Sequence, residues 1–188
     1  MCGILAILNT PTNNLGVERA LAQLNHRGPD ASGYIQTENV YIGHTRLAIV
    51  DPESGAQPFE TDQGTILTVN GEIYNHLELR NLLSQKWSDI NWRGHSDTET
   101  LLNCIVYYGM DATLQLLNGM FAFALFDKKH DEIMLARDRT GEKPLYFGFV
   151  NKTFLFASEL KALKCHPAWV GEINQNAIAS YLRHNYVP

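Results

Sequence analysis

The second residue of the chain is a cysteine, in the run Met1-Cys2-Gly3-Ile4-Leu5. If Met1 is removed, a thiol and a free α-amino group sit on the same residue. A free thiol titrates near ~8.5 and an α-amino group near ~7.7–8.0, so the amine is a base poised beside its own nucleophile. One residue then supplies both attacker and base. The plainer alternative is a small buried hydrophobe at the start of a strand. A second place for chemistry is Val69-Asn70-Gly71-Glu72-Ile73-Tyr74-Asn75. The Gly71 N–H and the Asn70 carboxamide can offer an oxyanion two donors, and glycine lets the backbone approach a ligand. Asn-Gly is equally a common turn dipeptide. Third, Arg46 lies inside the apolar run Gly43 to Asp51. An arginine there needs a carboxylate, because burying it unpaired is costly. Asp30, Asp51 or a substrate carboxylate would serve. Fourth, Asp97 falls in Ser96-Asp97-Thr98-Glu99, where helix capping explains it as readily as a substrate ammonium does.

Together these groups match one kind of molecule, an α-amino acid with a side-chain amide. Arg46 takes the α-carboxylate, and Asp97, helped by Glu72, takes the α-ammonium. Asn70 and Gly71 stabilise the tetrahedral oxyanion, and Cys2 attacks the amide carbon. A site built from such polar partners rejects analogues that lack them far better than an apolar pocket would.

These residues must be positioned by regular elements. Ile4 to Leu8 reads as a buried strand at the N-terminus. Val17, Ala20, Leu21 and Leu24 repeat at helical spacing, which predicts a helix over 15–25 that stops at His26-Arg27-Gly28-Pro29-Asp30. Strands are expected near 31–36, 40–50 and 65–70. Asn75 and Glu78 mark a helix start, and Ser96 with Glu99 forms a capping box before Leu101-Leu102. Later strands are expected over 120–127, 132–136, 145–150 and 153–157, with a last helix over 176–184. The run Met120 to Asp127 is apolar on both faces and should be central. The late strands are joined by turns too short for a crossover helix, so they should pair antiparallel. The two helical segments between early and late strands suit stacked sheets with helices outside. Asp138 and Arg139 beside Gly141 suggest a turn with an ion pair near the site, Cys104 a core position, and Trp87 to Gly94 a loop.

The 188 residues are 45% hydrophobic and carry a net charge of −5, enough for one domain with a real core. The acidic balance argues against nucleic acid as a partner. No apolar run is long enough for a membrane span, and the N-terminus lacks the features of a signal peptide. Three widely spaced cysteines make no disulfide framework, and a cytoplasmic setting is expected. His26, His44 and His95 lack ligand spacing, so no metal is expected. No phosphate-binding glycine loop is present, which argues against a nucleotide site.

The motifs carry a resemblance. Met1-Cys2-Gly3-Ile4, His26-Arg27-Gly28-Pro29-Asp30, Arg46 through Asp51, Gly55-Ala56-Gln57-Pro58, Asn70 through Asn75, Ser96 through Glu99 and Gly119 through Ala124 resemble the glutaminase domain of glutamine-hydrolysing asparagine synthetases. Arg137-Asp138-Arg139, Gly141, Pro144-Leu145-Tyr146 and Ala157 through Leu163 extend the match over essentially the whole chain. The resemblance implies an α+β fold, a four-layer αββα sandwich of the N-terminal-nucleophile hydrolase class, over residues 1–188. It implies class II glutamine amidotransferase chemistry, with glutamine hydrolysed to glutamate and ammonia through a γ-glutamyl thioester on Cys2. The glutamine-binding positions would be Arg46, Leu47, Ala48, Ile49 and Val50, with Asn70, Gly71, Glu72 and Asp97; the oxyanion pair would be Asn70 and Gly71. No cofactor belongs to this half-reaction. ATP and Mg would act only in a following synthetase domain, whose Ser-Gly-Gly-x-Asp-Ser loop is absent and whose linker would begin near 180–188. That domain, fused or separate, is the expected partner and receives the ammonia; a homodimer is compatible. The acceptor is a carboxylate such as aspartate, or that of a surface sugar. A binding module with little turnover of its own, whose loops 26–34 and 43–58 close only with the partner, is the alternative. The glucosamine-6-phosphate synthase and phosphoribosyl amidotransferase branches fit the motifs less well.

Overall fold

A computed structural model of the chain describes residues 1–9 and 16–187. Strand β1 (Gly3–Leu8) is buried at every position. Alternate side chains of a strand point to opposite faces, so β1 feeds two cores at once. Leu5 and Ile7 pack with helices α1 (Val17–Ala22) and α5 (Leu160–Leu163), while Ile4, Ala6 and Leu8 face the other way. Strands β3 (Val40–Arg46) and β9 (Thr153–Ala157) flank β1, and β2 (Ala31–Gln36) and β8 (Tyr146–Val150) complete a five-stranded antiparallel sheet in the order β2-β3-β1-β9-β8. A second antiparallel sheet has the order β4-β5-β6-β7, from β4 (Phe59–Glu60), β5 (Thr65–Ile73), β6 (Gly119–Asp127) and β7 (Glu132–Arg137).

The second sheet alternates in the same way. Ile66, Ala122, Ala124 and Phe126 meet Ile4, Ala6 and Phe156 between the sheets. Leu67, Val69, Phe121 and Phe123 pack outward on Leu79, Leu83, Leu101 and Leu102 of α2 (His76–Lys86) and α3 (Asp97–Tyr108). Three apolar interfaces thus hold four layers, helix on sheet on sheet on helix. β6 is apolar on both faces because both are covered, and fully buried Cys104 belongs to the outer core.

Several expectations are corrected. The strand expected over 40–50 ends at Arg46, and residues 47–58 leave the sheet as a loop. The Arg46 guanidinium donates to the carbonyls of Pro52 (2.8 Å), Asp51 and Val50 (3.3 Å), which folds that loop back onto it. The helix over 15–25 is shorter, Val17–Ala22; residue 15 lies outside the described residues. Asn75 does sit before α2, but its side chain does not cap it. It binds the Leu116 carbonyl and the Asn118 N–H instead. Half of the capping box forms: Ser96 Oγ accepts from Glu99 N, whereas the Glu99 carboxylate accepts from Arg93 N and Gly94 N, tying down the 87–94 loop. Gly109, at φ 83°, splits α4 (Met110–Leu116) from α3, so three helices rather than two separate the early and late strands among the described residues. The turn at Asp138 forms without an ion pair among the described residues. Asp138 accepts from the N–H groups of Phe121, Glu142 and Lys143, and Arg139 donates to the carbonyls of Leu117 and Leu114. α5 and β4 escaped the sequence reading. The expected last helix is α6 (Gln175–His184), with no buried residue.

Candidate active site

Cys2 stands at the head of β1. Its Sγ lies 3.5 Å from Leu47 N and 3.8 Å from Leu47 O. Its carbonyl accepts from Arg27 Nε at 2.9 Å, and Arg27 Nη1 donates to Glu159 at 3.0 Å. Glu159 also binds His26 (2.8 Å) and Lys161 (3.2 Å). Gly28 lets this loop press against β3, since a Cβ there would run into the Thr45–Arg46 backbone. The His-Arg-Gly-Pro-Asp run therefore clamps the backbone of the cysteine, a role that its turn signals concealed. With Met1 in place, burial pushes the Cys2 thiol up; the Leu47 hydrogen bond, the terminal ammonium and Arg46 counteract this. Ionisation would cost the contact to Leu47 O and keep the N–H, so this amide favours the thiolate.

The edge of β5 faces the same cavity. Gly71 is opposite Phe121 on β6. Phe121 uses its N–H and C=O toward Asp138, on the β7 side. The pair Gly71–Phe121 is therefore the open kind in an antiparallel ladder, and the Gly71 N–H points to the other edge. Val69 and Ile73 share that phase. Val69 N donates to Gln57 Oε1 (2.7 Å) and Ile73 N to Asp97 Oδ2 (3.0 Å). Among the described residues β4 pairs with this edge only at Ile66 and Leu67, which leaves Gly71 N–H free to face the cavity. The missing side chain of Gly71 serves the sheet, because a Cβ would meet the backbone of Met120 and Phe121. The closeness of β6 is thus a further reason for glycine at this position. Asn70 has no exposed surface, and neither atom of its carboxamide has a hydrogen-bond partner. A buried polar group in that condition is costly and calls for a ligand.

Arg46 meets neither Asp30 nor Asp51 through a carboxylate. Asp30 accepts from Ala48 N, and Asp51 from Ser54 N and His95 N. The guanidinium holds loop carbonyls only, so its charge stays available to an anion. Asp97 accepts from Ile73 N and Thr98 N, which fixes its carboxylate on the cavity wall.

A cleft enclosing about 620 Å³, its open mouth included, joins these groups. Cys2, Arg46, Leu47, Ile49, Val50, Asn70, Gly71, Glu72 and Asp97 all line it. Ala48 does not; its N–H is spent on Asp30. The sequence reading missed Gln57, Thr98, Met120 and Lys143 on the same wall. Lys143 is buried, with no carboxylate within ion-pair distance among the described residues. Only burial would have singled it out, and one sequence does not display burial. The cleft thus presents a thiol, two cations, two carboxylates and two unengaged donors, a set suited to an amino acid with a reactive carbonyl.

Residues 1–188 match a family described as a glutamine amidotransferase domain. Among curated relatives, an asparagine synthetase [glutamine-hydrolyzing] 2 of Oryza sativa subsp. japonica is 42% identical over 170 residues, covering 87% of this chain and 28% of the relative. An asparagine synthetase [glutamine-hydrolyzing] 1 of Bacillus subtilis (strain 168) is 38% identical over 195 residues, covering 100% of this chain and 30% of the relative. The chain spans less than a third of the length of these relatives. A solved glutamine phosphoribosylpyrophosphate amidotransferase from B. subtilis superposes with a TM-score of 0.72 at 23% identity, covering 87% of this chain and 43% of that one. That likeness concerns the fold alone, two stacked antiparallel sheets between layers of helices. No described helix is long and apolar enough to cross a membrane.

Proposed function

Because the chain belongs to the glutamine amidotransferase domain family, we propose that it hydrolyses glutamine to glutamate and ammonia on Cys2, after loss of Met1. The freed α-amine takes the thiol proton, and the sulfur adds to the side-chain amide carbon. The carbonyl oxygen becomes an oxyanion held by Asn70 Nδ2–H and the Gly71 N–H. Collapse expels ammonia, the ammonium of residue 2 returning the proton to the leaving nitrogen. Water then cleaves the γ-glutamyl thioester, releasing glutamate and restoring the thiol. Arg46 holds the α-carboxylate, while Asp97 and Glu72 hold the α-ammonium. Neither a metal nor an organic cofactor enters these steps.

The observation that carries this reading is the unpartnered, fully buried Asn70 carboxamide beside the free Gly71 N–H, in one cleft with Cys2. The relatives' greater length supports a synthetase-type domain, fused or separate, that receives the ammonia and amidates a carboxylate such as aspartate with ATP and Mg. The three free thiols suit the cytoplasm.

The test uses protein whose intact mass shows Cys2 as its first residue. Ammonia release from glutamine is expected, and Cys2→Ala should abolish it while leaving the melting temperature unchanged. A glutamine analogue with a side-chain electrophile should label Cys2. Cys104 should escape, because burial drives its thiol up to about 12. Label on another residue, or turnover by Cys2→Ala, would dismiss the nucleophile.

A further inference from the structure

Gln57 belongs to none of the groups that hold glutamine or attack it, yet its side chain accepts from a backbone N–H on the β5 edge. That edge displays three N–H groups in one row, from Val69, Gly71 and Ile73. The two outer ones are taken by side chains from the 47–58 loop and from the first residue of α3, Gln57 Oε1 at 2.7 Å and Asp97 Oδ2 at 3.0 Å. The two caps are tied together. Gln57 Nε2 donates to Thr98 Oγ1 at 3.2 Å, and Thr98 N donates to Asp97 Oδ1 at 2.9 Å. A continuous brace therefore runs from Val69 through Gln57, Thr98 and Asp97 to Ile73, and it straddles Gly71. Thr98 and Asp97 open α3, whose capping by Ser96 fixes their place.

Two consequences follow from this arrangement. β6 holds the other edge of β5 as far as Ile73. On the Gly71 N–H side β4 ends opposite Leu67 and, among the described residues, no other strand pairs with that edge, so without the brace it can shift. The Gly71 N–H would shift with it. The brace also leaves one donor in the row, so an incoming oxygen has a single backbone partner rather than a choice of three.

Resting on the glutaminase reading, we infer that Gln57 and Thr98 are positioning residues that fix the Gly71 N–H for the oxyanion and act through the strand edge rather than on the substrate. Misplacement of a reacting group by about 1 Å costs ~100-fold in rate, which sets the scale of the effect. The loss belongs to the tetrahedral state, not to glutamine binding, since Arg46 and Asp97 stay in place.

The experiment compares Gln57→Met, Gln57→Glu and Thr98→Val with the parent, all with Cys2 as first residue. Met removes the acceptor for Val69 N at similar length. Glu keeps that acceptor, and the Thr98 hydroxyl can turn to donate to it. Gln57→Met should lower kcat for ammonia release ~10–100-fold and leave KM within about threefold. Gln57→Glu should recover most of the rate, and Thr98→Val should fall between.

A second probe is the glutamine analogue with an aldehyde in place of the carboxamide. The Cys2 sulfur adds to its carbonyl carbon, and the thiol proton ends on the oxygen, giving a tetrahedral hemithioacetal. Its affinity should fall in parallel with kcat/KM across the variants, as for any mimic of the tetrahedral state. Iodoacetamide alkylation of Cys2 should proceed at the parent rate, which certifies fold and nucleophile together. Unchanged kcat and aldehyde affinity in Gln57→Met would overturn the inference, as would equal losses in Gln57→Met and Gln57→Glu. A parent protein that releases no ammonia would instead strike at the glutaminase reading itself.

Discussion

Replacing Asn70 by leucine, which has the same branching, should have two effects of opposite sign. In the free protein the carboxamide is wholly buried with both polar atoms unpartnered. An unsatisfied buried polar atom costs roughly 1 kcal/mol or more, so the pair costs about 2 kcal/mol. A domain of this size gains ~2–4 °C per kcal/mol. Asn70→Leu should therefore melt ~4–8 °C above the parent in the absence of glutamine. Its kcat should fall by ~10²–10³, the usual loss for one oxyanion donor. Thermal unfolding followed by circular dichroism, beside a coupled ammonia assay, reads both. A variant that melts at or below the parent temperature refutes the unsatisfied carboxamide, and one that keeps its kcat removes Asn70 from the oxyanion site.

Arg46→Met should raise KM for glutamine by ~100-fold with a smaller change in kcat, because it removes the partner of the α-carboxylate; glutamine α-amide should separate parent from variant far less than glutamine does. His44 carries a pH dependence of stability. Burial, opposed by a 3.1 Å hydrogen bond to the Val69 carbonyl and aided by Arg46, lowers its pKa to about 4. Between that value and the unfolded ~6.5 the unfolded chain binds the extra proton. This contribution is therefore fully present above pH ~6.5 and is lost as pH falls toward 4, by roughly 3 kcal/mol. His44→Gln should flatten the urea-midpoint curve over this window, and an unchanged slope would contradict the neutral buried imidazole.

The layered fold was legible because its periodicities are clean. Alternation in 65–70 and the apolar run 120–127 fix which side chains face which layer, and short turns force antiparallel pairing. The site residues were legible as types and motifs, since each carries chemistry that a strand or helix does not need. What stayed hidden depends on distance. The end of β3 at Arg46 is set by loop carbonyls that fold back onto it, a tertiary event with no local signature. Ala48 shares the run of Arg46 and Leu47, yet Asp30 takes its N–H. Gln57 and Lys143 are ordinary surface residue types whose meaning appears only when the chain closes around the cleft.

A strand edge with unpaired N–H groups is a hazard in any β protein, because a foreign strand can add to it. Beyond Leu67, where β4 ends, the edge of β5 avoids this with side chains instead of a strand. Gln57 and Asp97 take the Val69 and Ile73 N–H groups, which leaves a foreign strand a single donor in this row to pair with. Protection from intermolecular strand addition and readiness for a single small ligand are thus one and the same piece of architecture, and loosening it would invite aggregation as well as slow the chemistry.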